Sequence, residues 1–177
     1  MLNFTYYNPV KIVFGKDTIA QLDALLPADA RVMLTFGGGS IKRNGVYEQA
    51  MDGLGDRHVI AFGAIEPNPR YETCMKAVAA AQDDGTDFLL AVGGGSVADA
   101  TKFIAAALRF AGDEPWDIMS AQAPVTDAVP LGVVLTLPGT GSEMNINAVI
   151  SRDETQEKLA FSSPQVYPQF SILDPQT

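Results

Sequence analysis

Twice in this chain an apolar run ends in the same four letters, Gly-Gly-Gly-Ser, at Gly37 to Ser40 and at Gly93 to Ser96. Glycines lack a Cβ, so such a stretch lets the backbone take positive φ and lets a ligand come close to bare N–H groups. In the second copy Ser96 fits a helix N-cap, and Asp99 lies three residues on, where the acid of a capping box sits. Unpaired amides and the positive end of a helix dipole suit a phosphate. A plain strand-to-helix turn uses the same letters, so one copy would decide little. A third small-residue turn, Thr136-Leu137-Pro138-Gly139-Thr140-Gly141-Ser142-Glu143, closes a further apolar run. An open α/β sheet binds its ligand at the carboxyl ends of its strands, and a dinucleotide needs several such turns at once.

The turns suggest a division of labour. Gly94, Gly95 and Ser96 would hold a pyrophosphate, and Asp99 would accept hydrogen bonds from a nicotinamide end besides capping its helix. Thr136, Thr140 and Ser142 offer hydroxyls to ribose or adenine, which is also ordinary turn chemistry. Lys158 could reach a ribose hydroxyl or a phosphate, or simply be solvated, and Asn145 and Asn147 alternate on a face that could touch a polar substrate. After the strand Arg31 to Phe36, where an NAD enzyme tends to carry a carboxylate for the ribose 2′-hydroxyl, no acid appears. Gly38, Gly39 and Ser40 are followed instead by Lys42 and Arg43. Amides, a hydroxyl and cations would welcome a 2′-phosphate, so NADP outranks NAD, although the two cations also suit a solvated helix face.

Other chemistry is excluded by what is missing. His58 is the only histidine, so neither a multi-histidine metal site nor a Ser-His-Asp triad can be assembled within these residues. Cys74 is the only cysteine, and its place in a helical pattern makes it a buried bystander. A net charge of −9 argues against a nucleic-acid partner. No run approaches the roughly 20 apolar residues of a membrane span, and MLNFTYYNPVK has no signal-peptide pattern, so cytoplasmic residence is the expectation.

The elements that must position these turns read in order. Phe4 to Gly15 predicts two short strands around Asn8-Pro9, the second being Lys11 to Phe14. Asp17 or Thr18 then caps a helix over Ile19 to Leu26, and Arg31 to Phe36 is a strand followed by helix to about Met51. His58 to Phe62 is another strand; Asn68 is read as N-cap and Pro69 as first residue of a helix reaching Asp84. Phe88 to Val92 is too short for a helix and lacks alternation, so it reads as a central buried strand, with helix to about Phe110 after it. Gly112 to Pro130 is a long connection and Leu131 to Leu135 a strand. Val149 to Ser151, Lys158 to Phe161 and Phe170 to Leu173 read as an antiparallel flap. With 47% hydrophobic residues the chain has ample material for one core. Alternating strands and helices predict a Rossmann-like, doubly wound, mostly parallel α/β sheet. Neither G-x-G-x-x-G nor a P-loop matches, since Gly95 is followed by Ser-Val-Ala.

The opening YNPVKIVFG, FGGGSIKRNGVY, the PNP loop, AVGGGSVADATKFIA, LTLPGTGSEMN, AVIS and the closing SILDP together resemble the iron-containing (group III) alcohol dehydrogenases. Within them, the resemblance is to the NADP-dependent butanol dehydrogenase and aldehyde reductase branch, and it runs over essentially the whole chain. It implies an amino-terminal NADP-binding domain, 1–177, of an enzyme passing hydride between NADPH and a metal-bound carbonyl of a small aldehyde or alcohol. Gly38 stands where NAD-using relatives carry an aspartate. The resemblance puts Gly94, Gly95, Ser96 and Asp99 along the pyrophosphate and nicotinamide, Thr136, Leu137 and Thr140 around the adenosine, and Lys158 at ribose, with Val149 and Leu173 lining the cleft. Gly39, Ser40, Lys42, Asn68 and Ser142 complete the expected cofactor contacts. The family's helical domain, with one aspartate and three histidines for iron or zinc, would lie beyond Thr177. The chain is therefore expected to hold no catalytic or metal residue, to bind nucleotide with little or no turnover, and to bare an apolar patch where that domain would pack. A homodimer touching through the amino-terminal strands is expected at full length. Two alternatives stay open: a stand-alone nucleotide-binding module, and a glycerol-dehydrogenase-like or dehydroquinate-synthase-like enzyme sharing the GGGS-x-x-D turn, which Gly38 and the adjacent basic pair disfavour.

Overall fold

The computed structural model describes residues 3–177. Its frame is one six-stranded sheet made of β1 (Lys11–Phe14), β2 (Arg31–Phe36), β3 (His58–Phe62), β4 (Phe88–Gly94), β5 (Leu131–Leu137) and β8 (Phe170–Leu173). Their order across the sheet is β1-β8-β5-β4-β2-β3, and every pairing is parallel. Parallel strands need crossovers, and the crossovers cover both faces. Side chains alternate along each strand. Val32, Leu34, Phe36, Phe88, Leu90 and Val92 therefore face one core, shared with α1 (Ser40–Arg43), α2 (Val46–Leu54) and a 3₁₀ helix at Thr18–Ala24. Met33, Leu89, Ala91, Leu131 and Val133 face the other, under α3 (Tyr71–Asp84), α4 (Gly95–Ala107) and α5 (Asp117–Ser120). A separate antiparallel hairpin, β6 (Asn147–Arg152) with β7 (Glu157–Ser162), closes over α4. The doubly wound expectation holds, and no helix is long and apolar enough to cross a membrane among the described residues.

Several local expectations change, each for a tertiary reason. Phe4 to Tyr7 forms no strand; β1 is the sheet edge, pairing only with β8, so no partner strand is there to order that segment. The helix expected over Ile19 to Leu26 is a 3₁₀ helix, and neither Asp17 nor Thr18 caps it with a side chain. Asp174, from the other end of the chain, accepts a hydrogen bond from the Thr18 amide at 3.0 Å instead. Asn44 and Gly45, the latter at φ 80°, divide the expected helix after Ser40 into α1 and α2. Asn68 is not an N-cap: it sits at φ 60°, and α3 begins at Tyr71 after an extended Arg70. Phe170–Leu173 is no part of the flap. It inserts between β1 and β5, where Phe170, Ser171 and Ile172 are buried, and the Ser171 hydroxyl is satisfied by donating to the Glu143 carbonyl at 2.6 Å.

Candidate functional site

The carboxyl ends of β2, β4 and β5 are neighbours in the sheet, so their three turns meet. Gly37, Gly39, Ser40, Gly93, Gly94, Thr136 and Leu137 line one cleft of about 340 Å³ there, with Asn44, Val97 and Thr177. α4 starts at this cleft, and no side chain caps its first turn. Ser96 is inside that turn rather than at the N-cap, because the helix begins two residues earlier than that cap would allow, with Gly94 as the capping position in extended backbone. The amides of the turn are thus left to the cleft.

The second glycine run is needed for space, not for positive φ. None of Gly93, Gly94 and Gly95 has positive φ, whereas Gly39 does, at 90°. A Cβ on Gly93 would stand 2.6 Å from Val97 Cγ2, and one on Gly95 would stand on the Thr140 hydroxyl and 2.9 Å from its methyl. A Cβ on Gly94 would meet Leu137 Cβ at 3.4 Å, an ordinary contact, so packing alone does not require glycine at that position. Gly38 is exposed at the rim, with nothing within 4 Å of its would-be Cβ.

Asp99 is not the acid of a capping box. One carboxylate oxygen accepts from the Val149 amide at 3.1 Å and the carboxylate bonds the Ser142 hydroxyl, which itself lies 2.8 Å from Thr140 Oγ1. Its other oxygen, Oδ1, is buried without a hydrogen-bond partner. Burial raises its pKa, and Ser142, the Val149 amide and Lys102 pull it back. One polar chain therefore ties Asp99, Ser142, Thr140 and Val149 together beside the α4 terminus. A second ties Ser96, Asn68 and Lys158: the Asn68 amide donates to Ser96 Oγ at 3.4 Å, and Lys158 Nζ donates to Asn68 Oδ1 at 2.7 Å.

Other expected residues lie differently. Lys42 does not line the cleft; its ammonium stands 4.8 Å from the ring centroids of both Phe36 and Tyr47, a cation–π position. Arg43 is exposed on the same short helix. Leu173 lines an adjoining groove with Phe14, Leu135, Pro138 and Pro175, which shares Thr136 and Thr177 with the main cleft. Asn145 and Asn147 do not offer a free polar face. The Asn145 carbonyl oxygen accepts from Lys102 Nζ and from the Asn147 amide, each at 2.9 Å, and the Asn147 side chain accepts from Ser162 at 2.7 Å. Cys74 is buried, and that burial pushes its thiol well above the ordinary range, so it is no nucleophile. His58 bonds Asp84 at 2.6 Å at the amino end of β3, the opposite pole of a parallel sheet from the cleft. Among the described residues no three or more His, Cys, Asp or Glu side chains come together as a metal set.

Lys102 was missing from the sequence expectations. It is wholly buried, in a helix whose next five residues are Phe103, Ile104, Ala105, Ala106 and Ala107. A lone cation inside so apolar a run was the available signal, since a buried charge must be paired.

Comparison with known proteins agrees with this fold. The chain is 51% identical over 177 residues to the NADPH-dependent aldehyde reductase YqhD of Escherichia coli, covering 99% of this chain and 46% of that one. It is 49% identical to a probable NADH-dependent butanol dehydrogenase 1 of Bacillus subtilis, with 99% and 46% covered. A crystal structure of E. coli K-12 YqhD matches with a TM-score of 0.94 at 51% identity, over 98% of this chain and 45% of that chain. The chain spans about half the length of the curated relatives it matches. The iron-containing alcohol dehydrogenase profile matches residues 9–175, and this chain belongs to that family.

Proposed function

We propose that the chain is the cofactor-binding half of an NADP-dependent oxidoreductase that interconverts small aldehydes and alcohols, and that by itself it binds the dinucleotide with little or no turnover. The observation that carries this reading is the convergence of three strand ends on one cleft beside the uncapped start of α4, with Asp99 Oδ1 buried and unpartnered in the first turns of that helix. The bare Gly94 and the α4 amides suit a pyrophosphate. Asp99 Oδ1 suits an amide donor such as a nicotinamide carboxamide. Thr136, Leu137, Thr140 and Ser142 flank the adenosine side, and Asn68 and Lys158 suit ribose hydroxyls. The dinucleotide supplies the hydride; these residues bind and orient it. We assign no metal-ligating role to any residue of this chain.

Preference for NADP rests on Gly38. Its open, acid-free rim leaves room for a 2′-phosphate beside Ser40, with Lys42 nearby on its aromatic faces. The relatives' names divide between NADPH and NADH, so this is the finer part of the proposal. Titration of the chain with each reduced cofactor, followed by nicotinamide fluorescence, tests it. NADPH is expected to bind at least tenfold more tightly than NADH. Equal or tighter NADH binding overturns the 2′-phosphate reading, and failure of both to bind overturns the site.

A homodimer through the amino-terminal segment belongs to the same proposal. Phe4, Tyr6 and Tyr7, in the segment before the edge strand β1, and Phe14, within it, are 87%, 70%, 82% and 73% exposed, an association-prone arrangement. Sedimentation should show a dimer that Tyr7→Asp with Phe14→Asp converts to monomer; a monomeric parent chain refutes it.

A further inference from the structure

We propose that Lys102 is a positioning residue: its sealed ammonium clamps the β5–β6 connection and so holds Thr140, Ser142 and Asp99 in register with the start of α4. The proposal rests on the nucleotide-binding reading of that cleft. Lys102 has no exposed surface, and its Nζ donates to Asn145 Oδ1 and to the Asn147 carbonyl, both at 2.9 Å. Asn145 Oδ1 also accepts from the Asn147 amide, so one ammonium and one carboxamide close the loop on itself. On either side of this clamp lie the members of the polar chain around Asp99. Residues 140–142 precede it in the chain, and Val149, which donates to Asp99, follows it.

The charged groups facing Lys102 are Asp99 on its own helix and Glu143 on the β5–β6 connection. Each of those carboxylates has an oxygen, Asp99 Oδ1 and Glu143 Oε2, that is buried and unpartnered. The ammonium is the cation that makes two buried carboxylates tolerable next to an anionic ligand. Helix α4 alone would be better served by an apolar side chain here, since replacing buried charges by packed apolar groups is often neutral or stabilising. A lysine that reaches the loop backbone is better explained by what it holds than by helix packing.

Burial pulls the lysine from its ordinary 10.5 down to about 8, while Asp99 and Glu143 resist the shift. Rising pH through about 8 therefore removes the charge in the folded chain. Two consequences have opposite signs. Between about 8 and 10.5 the unfolded chain binds more protons than the folded one, so this residue's contribution to global stability rises with pH. Over the same onset the clamp loses its charge-assisted bonds and leaves the two carboxylates uncompensated, so NADPH affinity falls.

The test compares the wild-type chain with Lys102→Met and Asn145→Ala. Amide hydrogen exchange over residues 140–149 should accelerate at least tenfold in both variants, with the sheet strands unchanged. NADPH affinity should fall at least tenfold in both. Wild-type affinity should decline as pH rises from 7 to 9, and Lys102→Met should show a flat profile. Unchanged NADPH affinity and pH profile in Lys102→Met, or exchange that accelerates evenly across the whole domain, overturns the proposal. If Lys102→Met does not fold, Asn145→Ala, which leaves the helix interior intact, decides by the same two readouts. A wild-type chain that binds neither dinucleotide refutes the cofactor reading instead, and the exchange experiment then decides on its own whether Lys102 orders the loop.

Discussion

Gly94→Ala is expected to weaken NADPH binding by roughly a hundredfold, about 2.7 kcal/mol, while leaving the fold intact. The backbone at Gly94, φ −86° and ψ −168°, is ordinary extended chain that alanine adopts without strain. Its new methyl would rest against Leu137 Cβ at 3.4 Å, so folding stability should be unchanged or raised by up to about 1 kcal/mol. The same methyl stands where a diphosphate would approach the α4 amides, and there only a hydrogen leaves room. Gly93→Ala is the contrasting control. That residue is buried, and its added carbon would lie 2.6 Å from Val97 Cγ2 and 2.9 Å from Val97 Cβ. Overpacking of this kind costs about 1–3 kcal/mol of stability. Thermal unfolding and NADPH titration on both variants separate space kept for a ligand from space kept for the core. Wild-type affinity in Gly94→Ala would remove the diphosphate from that turn.

Gly38→Asp should swing the cofactor preference from NADPH toward NADH by about 1–2 kcal/mol, roughly five- to thirtyfold in the ratio of dissociation constants. The substitution is sterically free, because nothing lies within 4 Å of the position and its φ is not positive. Its carboxylate would accept from a ribose 2′-hydroxyl and repel a 2′-phosphate. Lys42 makes the effect asymmetric. Its ammonium is already held on the faces of Phe36 and Tyr47, so it need not be immobilised from solvent to assist a phosphate at this rim. Lys42→Met should weaken NADPH more than NADH, by a smaller factor than Gly38→Asp. An unchanged ratio in Gly38→Asp would detach the rim of β2 from cofactor choice.

These two predictions draw on different information. Gly38 could be singled out from its letters, since the absence of an acid after a strand needs no tertiary knowledge. The distinction between Gly93 and Gly94 could not. Both sit in one run of identical residues, and only the packing of Val97 and Leu137 gives one a steric duty and leaves the other without one.

The amino-acid order alone determined where three of the sheet strands lie and end. β1, β2 and β3 begin and stop at the residues where apolar runs meet glycine, proline or polar residues, because those signals act over a few residues of backbone. The repeated Gly-Gly-Gly-Ser turns were legible for the same reason. Tertiary structure alone decided what those elements meet. It put β8 inside the sheet, gave the Thr18 amide to Asp174, joined Asn68 to both Ser96 and Lys158, and buried Lys102 against Asn145. Those contacts join residues far apart in the chain, and their partners are chosen by burial and by the need to satisfy polar groups within it, conditions that exist only once both sides of the core are in place.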